Sequence, residues 1–158
     1  MQKITPFLWF DNQAEEAMNL YTSIFKDSKP GKISRYGKGL PGKEGTVMSV
    51  TFELFGQEFM ALNGGPLFPF TEAVSFFVHC EDQQEVDYYW QKLTADGGKE
   101  SRCGWLKDKF GLSWQIIPKA LSEMLGDKDP QKAQRVAQAM MSMSKIDINA
   151  LKQARDQL

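Results

Sequence analysis

ITPFLWFDNQAEEAMNLYTSIF, residues Ile4 to Phe25, returns about 69 residues further along as AVSFFVHCEDQQEVDYYWQKL, residues Ala73 to Leu93, and a repeat at fixed spacing is a statement about architecture. Each copy opens with an apolar stretch of strand length and passes through an acidic or amide residue into a pattern of helical period. In the first copy Asn12 and Glu15 stand three apart, as a capping box requires, and Ala14, Ala17, Met18, Tyr21, Ile24 and Phe25 form one apolar stripe. In the second, Asp82 and Glu85 repeat the cap, Val86, Tyr89, Trp90 and Leu93 repeat the stripe, and Gly97-Gly98 supplies a stop. Aligned this way, Phe7 corresponds to Phe76 and Glu16 to Glu85. Each helix is expected to lie on a sheet through its stripe.

Outward from the repeat, strand patterns complete two similar modules. Ser28-Lys29-Pro30-Gly31 reads as the end of the first helical region, followed by a short strand over Lys32 to Tyr36 and a loop from Gly37 to Gly45. Thr46 to Phe55 and Glu58 to Asn63, joined at Gly56-Gln57, read as a hairpin. Beyond a linker beginning Gly64-Gly65-Pro66, strands are expected at Lys99 to Arg102, Trp105 to Asp108 and Leu112 to Ile117. The expected organisation is an α+β domain over residues 1–118, with one βαβββ module at about 3–63 and another at about 72–118. Residues 119–158 read as a helical C-terminal extension with no counterpart in the first half. There Asp129-Pro130 is a cap followed by a favoured first position, and Ala133, Val136, Ala137, Met140 and Met141 line one face. Asp147 or Ser144 starts a last helix bearing Ile148 and Leu151. The patch of Met140, Met141 and Met143 is read as packing.

A chain of 158 residues can build a core without staples. Its 19 basic and 20 acidic side chains leave a net charge of -1, which lacks the footprint of a nucleic-acid binder. No run approaches the roughly 18 apolar residues of a membrane span, and the start lacks the apolar stretch of a secretory signal. A cytoplasmic protein without a membrane partner is therefore expected. Cys80 and Cys103 have neither metal-site spacing nor disulfide density and read as reduced thiols. The segment Gly37-Lys38-Gly39-Leu40-Pro41-Gly42 matches GxGxxG, but it runs toward the strand-like Thr46-Val47-Met48 instead of a helix whose amino terminus would face a phosphate. It is read as a strand-connecting loop or lid.

The two βαβββ modules, with CGWLKDKFGLSWQIIP from Cys103 to Pro118 and the later Lys145-Ile146-Asp147-Ile148, resemble the PhnB-like branch of the vicinal oxygen chelate superfamily. That superfamily contains glyoxalase I, bleomycin-resistance proteins and extradiol dioxygenases. The resemblance implies cupped mixed sheets, a homodimer and, in metal-dependent relatives, a divalent ion held from the first and last strands of each module. Matching places Ile4 and Ala73 where those relatives often carry His, Gln115 where they carry Glu, and the remaining position near Asn63. Two hydrocarbon side chains and two neutral amides are poor ligands for such a cation, so neither metal nor cofactor is expected. The demethylubiquinone methyltransferase description carried by some members finds no support in these residues.

His79 is the sole histidine, which excludes paired-imidazole mechanisms within one chain. Alternation sets Ser75, Phe77 and His79 on one face of their strand, opposite Val74, Phe76, Val78 and Cys80, while Trp9 and Trp114 are expected on the helix side of their sheets. The π-face of Trp105 and the neutral amide of Gln115 suit a small planar or polar ligand. Phe77, His79, Trp105, Ser113 and Gln115 are thus the candidate ligand-binding residues. Asp108, Phe110 and Gly111 read as a turn. The favoured function is metal-free binding of a small organic molecule. The alternative is a small-molecule enzyme, either a metal-assisted lyase, isomerase or dioxygenase or a metal-free catalyst using His79 or Cys103, whose neighbour Arg102 would favour a thiolate.

Overall fold

Leu8 and Phe10 alternate into the buried core of the first module, as do Ala17, Met18 and Tyr21 of the first helix stripe. The computed structural model describes residues 2–157 and divides into two compact units, one through Phe70 and the other from Thr71 onward. Unit one contains β1 (Phe7–Phe10), α1 (Ala14–Ile24), β2 (Ser28–Arg35), β3 (Val47–Leu54) and β4 (Gln57–Asn63). Its sheet has the order β1-β4-β3-β2, with β1 parallel to β4 and the other pairs antiparallel. Unit two repeats this with β5 (Ser75–Cys80), α2 (Gln83–Thr94), β6 (Lys99–Glu100), β7 (Trp105–Lys107) and β8 (Ser113–Pro118) in the order β5-β8-β7-β6. The α+β fold of two βαβββ modules is therefore present, with β5 and β8 as the parallel pair.

The spacing of the repeat differs between helix and strand. The helices start at Ala14 and Gln83, but the strand faces match on a spacing one residue longer. Phe10 and Cys80 are the buried last residues of β1 and β5, whereas Phe7 and Phe77 are exposed at 52% and 44%. Phe7 thus corresponds to Phe77, not Phe76. The turn from strand to helix is one residue longer in unit one, and a one-residue slip exchanges the two faces of a strand. Trp9 consequently lies away from α1, against expectation, with its ring against Phe68 and its Nε1 donating to the Gly65 carbonyl at 2.9 Å.

Local chemistry also departs from the repeat at the start of α1. Gln13, not Asn12, is the N-cap, and it makes no side-chain cap bond. The amide of Ala14 instead donates to Asn63 Oδ1 at 2.8 Å, while Asn63 Nδ2 donates to the Val47 carbonyl at 3.2 Å. One side chain from the end of β4 thereby ties α1 to β3. Asn63→Ala is expected to lower the unfolding free energy by about 1–2 kcal/mol, as loss of a helix cap does. Urea denaturation measures it. α2 follows expectation: Asp82 Oδ1 accepts from the Glu85 amide at 2.9 Å, and the Glu85 carboxylate accepts from the Glu81 amide at 2.9 Å.

Ser28 to Gly31 does not end a helix but forms the first half of β2. An edge strand can accept Pro30, which lacks a donor. A side chain on Gly31 would place its Cβ 2.6 Å from the Thr51 carbonyl oxygen, so the close strand approach requires glycine.

The C-terminal residues form α3 (Lys119–Leu125), α4 (Pro130–Met141) and α5 (Ile148–Asp156) within unit two. Asp129 and Asp147 cap the last two. Their core joins Leu121, Met124, Val136, Ile146 and Leu151 to Ile117 of β8, with Met140 and Met143 packed against it. Met141 is 63% exposed and takes no part.

Candidate functional site

Strand register brings the proposed ligand residues of unit two together. Phe77 of β5 pairs with Gln115 of β8, which pairs with Trp105 of β7, and the next row is Ser75, Ser113 and Lys107. Directly paired residues share a face, so Phe77, Gln115 and Trp105 stand side by side across three strands. His79 continues along β5, its ring centroid 4.7 Å from that of Phe77. Phe76, Trp114 and Leu106 occupy the opposite face, beneath α2, and Trp114 is buried there as expected.

The polar groups on this face are specific. Gln115 Nε2 donates to Ser75 Oγ at 3.0 Å. Ser113 is buried, and its Oγ meets no hydrogen-bond partner among the described residues. Lys107 pairs with Glu72, whose carboxyl is held below its ordinary value by that hydrogen bond. The turn before β8 joins β7 to β8 in this arrangement. There the buried Asp108 carboxylate accepts from the Phe110 and Leu112 amides at 2.9 and 3.0 Å and from Trp114 Nε1 at 2.9 Å. Asp108 therefore organises this turn.

Cys103 stands apart from the row, in the turn between β6 and β7. Its φ is +59° and that of Gly104 is +84°, and the Trp105 amide donates back to the Arg102 carbonyl at 3.0 Å. Two successive positive φ values define a type I′ turn. Cys80 is buried beside Glu85, and burial first, then that charge, push its thiol up to about 12. Iodoacetamide at pH 8 is expected to alkylate Cys103 while leaving native Cys80 unmodified, because the thiolate is the nucleophile. Peptide mass spectrometry would read the two sites, and faster modification of Cys80 would contradict this.

The residues matched to metal ligands do not fit a divalent ion. Ile4 and Ala73 offer no donor atom in their side chains. Asn63 alternates toward α1 and uses its amide in the cap, so the open-face counterpart of Gln115 is Met60, the partner of Phe7. A thioether and an amide are weak ligands for a hard cation. Among the described residues no group of three or more His, Cys, Asp or Glu side chains could hold a metal ion.

A cavity of about 450 Å³ in unit one escaped sequence reading; Glu15, Tyr36, Gly42, Val47 and Asn63 contribute to its wall. The signal was Gly42, since a Cβ there would fall 2.2 Å from the Tyr36 ring. Tyr36 donates to the Asn63 carbonyl at 2.5 Å, so this polar wall is internally bonded. The glycine-containing loop forms part of that wall and leads from β2 to β3, without a following helix to receive a phosphate.

The family model described as 3-demethylubiquinone-9 3-methyltransferase matches residues 2–117. A PhnB protein from Bacillus cereus, provisionally named a 3-demethylubiquinone-9 3-methyltransferase, is 46% identical over 74% of this chain and 99% of its own, with a TM-score of 0.68. The fold is shared by protein PA1353 from Pseudomonas aeruginosa, 18% identical over 75% of this chain and 98% of that one, with a TM-score of 0.59. It is shared also by the fosfomycin resistance protein FosX from Listeria monocytogenes, 14% identical over 75% and 93% of the two chains, with a TM-score of 0.50. No curated protein matches. Among the described residues no helix is long and apolar enough to cross a membrane.

Proposed function

The chain belongs to the family described as 3-demethylubiquinone-9 3-methyltransferase, the PhnB-like group of the vicinal oxygen chelate superfamily, and from that premise we propose that unit two binds a small, neutral, planar organic molecule without a divalent metal. The observation that carries this reading is the row of Phe77, Gln115 and Trp105 across β5, β8 and β7. Two aromatic side chains flank one amide, an arrangement that rewards a flat ring with a polar edge. Gln115 and Ser75 are bonded to each other, and whichever way that amide is turned, the pair retains a free donor and a free acceptor. A carboxamide or lactam edge complements both. The row itself carries no charged side chain, and Lys107 of the next row is paired with Glu72. Exposed Phe77 and His79 leave the β5 side of the row open.

Titration calorimetry with benzamide and nicotinamide tests the reading, with Gln115→Leu as the control. Saturable binding by the native protein, weakened about ten-fold or more in Gln115→Leu, is the expected result. A folded native protein that binds neither probe would contradict it, as would a stoichiometric divalent ion retained through purification.

The methyl transfer named in the family description has no evident donor site in the glycine-containing loop. S-adenosylmethionine is accordingly expected to leave the melting temperature unchanged, and a saturable rise would reverse that conclusion. A homodimer belongs to the same proposal, supported by exposed Ile4 and Phe7, and sedimentation velocity would measure it.

A further inference from the structure

The family match ends at residue 117, so α3 to α5 lie beyond the matched residues. The segment between α4 and α5 runs against the turn that precedes Trp105. The Cys103 amide donates to the Met143 carbonyl and the Gly104 amide to the Ser144 carbonyl, both at 2.8 Å. These are the two central residues of the type I′ turn, with amides pointing away from the hairpin. At the other end of the segment, Gln83 holds both sides of the chain. Its Nε2 donates to the Ile146 carbonyl at 2.9 Å, and its Oε1 accepts from the Ile148 amide at 2.8 Å. Lys145 pairs with Asp87 at 2.9 Å one helical turn along α2, and Ile146 is buried in the C-terminal core.

We propose that residues 143–148 form a clasp that sets the position of Trp105 on the ligand face, with Gln83 as the positioning residue that keeps the clasp closed. Its relevance to ligand rests on the proposed function, but its mechanics do not. Gln83 is the first residue of α2 and imitates a neighbouring strand, offering one donor and one acceptor to the passing backbone. The clasp restrains Cys103 and Gly104, and the turn in turn fixes Trp105 through the Trp105-to-Arg102 and Ser101-to-Trp105 backbone bonds. Cys103 is a poor residue for its left-handed conformation, so a turn without the clasp would lose its geometry readily.

Hydrogen exchange on the full chain tests this without ligand. In Gln83→Ala the Cys103, Gly104 and Ile148 amides are expected to exchange about ten-fold faster or more, and those of Ser101 and Trp105 to follow, while β4 amides keep their native rates. Gln83→Glu retains the acceptor for Ile148 but sets a carboxylate oxygen against the Ile146 carbonyl and the Asp87 carboxylate, to both of which Nε2 donates at 2.9 Å. Exchange at least as fast as in the alanine variant is therefore expected; it also serves if the alanine variant fails to fold. Unchanged exchange at Cys103 and Gly104 would overturn the clasp. Faster exchange there with native rates at Ser101 and Trp105 would overturn the positioning role. Benzamide binding forms a separate arm: if the native protein binds, Gln83→Ala should weaken it several-fold by raising the dissociation rate, and undiminished binding would overturn control of the ligand face. Absence of binding by the native protein counts against the ligand reading alone, and the exchange rates still decide the clasp.

Discussion

Asp108→Ala is expected to lower the unfolding free energy of unit two by about 3–5 kcal/mol, through loss of one buried acceptor serving three donors. The Phe110 and Leu112 amides and Trp114 Nε1 all lose that acceptor in the variant. Each buried donor left without a partner costs about 1–3 kcal/mol, reduced where water can enter the space vacated. Asp108→Asn separates the roles of the two oxygens. Its amide oxygen can retain both backbone donors, but its NH₂ would meet the indole N–H, so a smaller loss of about 1–3 kcal/mol is expected. Urea unfolding followed by tryptophan fluorescence suits the measurement, because Trp90, Trp105 and Trp114 lie in unit two and only Trp9 in unit one. A loss below about 1 kcal/mol in the alanine variant would show that the carboxylate does not organise the turn. The consequence reaches the ligand face, since this turn sets Ser113 and Gln115 of β8 beside Lys107 and Trp105 of β7.

Much of this architecture was legible in the chain because burial imposes period on both sides of it. The stripes of α1 and α2 contain the buried Ala17, Tyr21, Val86 and Trp90, and alternation correctly set Phe77 and His79 opposite Cys80. Caps made within one short segment, such as Asp82 with Glu85 and Asp129 with Gln131, could be read for the same reason. What could not be read depends on contacts distant in sequence. The cap of α1 comes from Asn63, and an amide 49 positions away leaves no local pattern. The one-residue difference in the strand-to-helix turns likewise hid the correspondence of Phe7 with Phe77, and with it that of Met60 with Gln115. The candidate ligand residues were recognisable one by one from chemistry and alternation. Their common row required the register of three strands, and the clasp required the fold of the C-terminal helices.

Gly104→Ala and Cys103→Asn, at adjacent positions of one turn, are expected to move stability in opposite directions. At Gly104 the φ of +84° disfavours any side chain, and a Cβ would lie 2.6 Å from Ile117 Cδ1 and 3.1 Å from both the Ile116 carbonyl oxygen and Ile146 Cγ1. A left-handed alanine costs about 1–2 kcal/mol and overpacking a core about 1–3 kcal/mol, so a loss of about 2–4 kcal/mol is expected. Ile117 Cδ1 is the end of a side chain and would have to shift within the apolar cluster built with α3 to α5, while the Ile116 carbonyl oxygen belongs to the backbone of β8. Cys103 has the same handedness at φ +59° but is half-buried and presents its amide to Met143. Asparagine tolerates that conformation and is favoured in type I′ turns, so Cys103→Asn should raise stability by about 0.5–1 kcal/mol. Equilibrium unfolding of both variants distinguishes a backbone cause from a side-chain one. A neutral Gly104→Ala would contradict the packing of Ile117 and Ile146 over the turn, and a Cys103→Asn variant as unstable as Gly104→Ala would mean that the thiol, not the handedness of the turn, holds this corner of unit two.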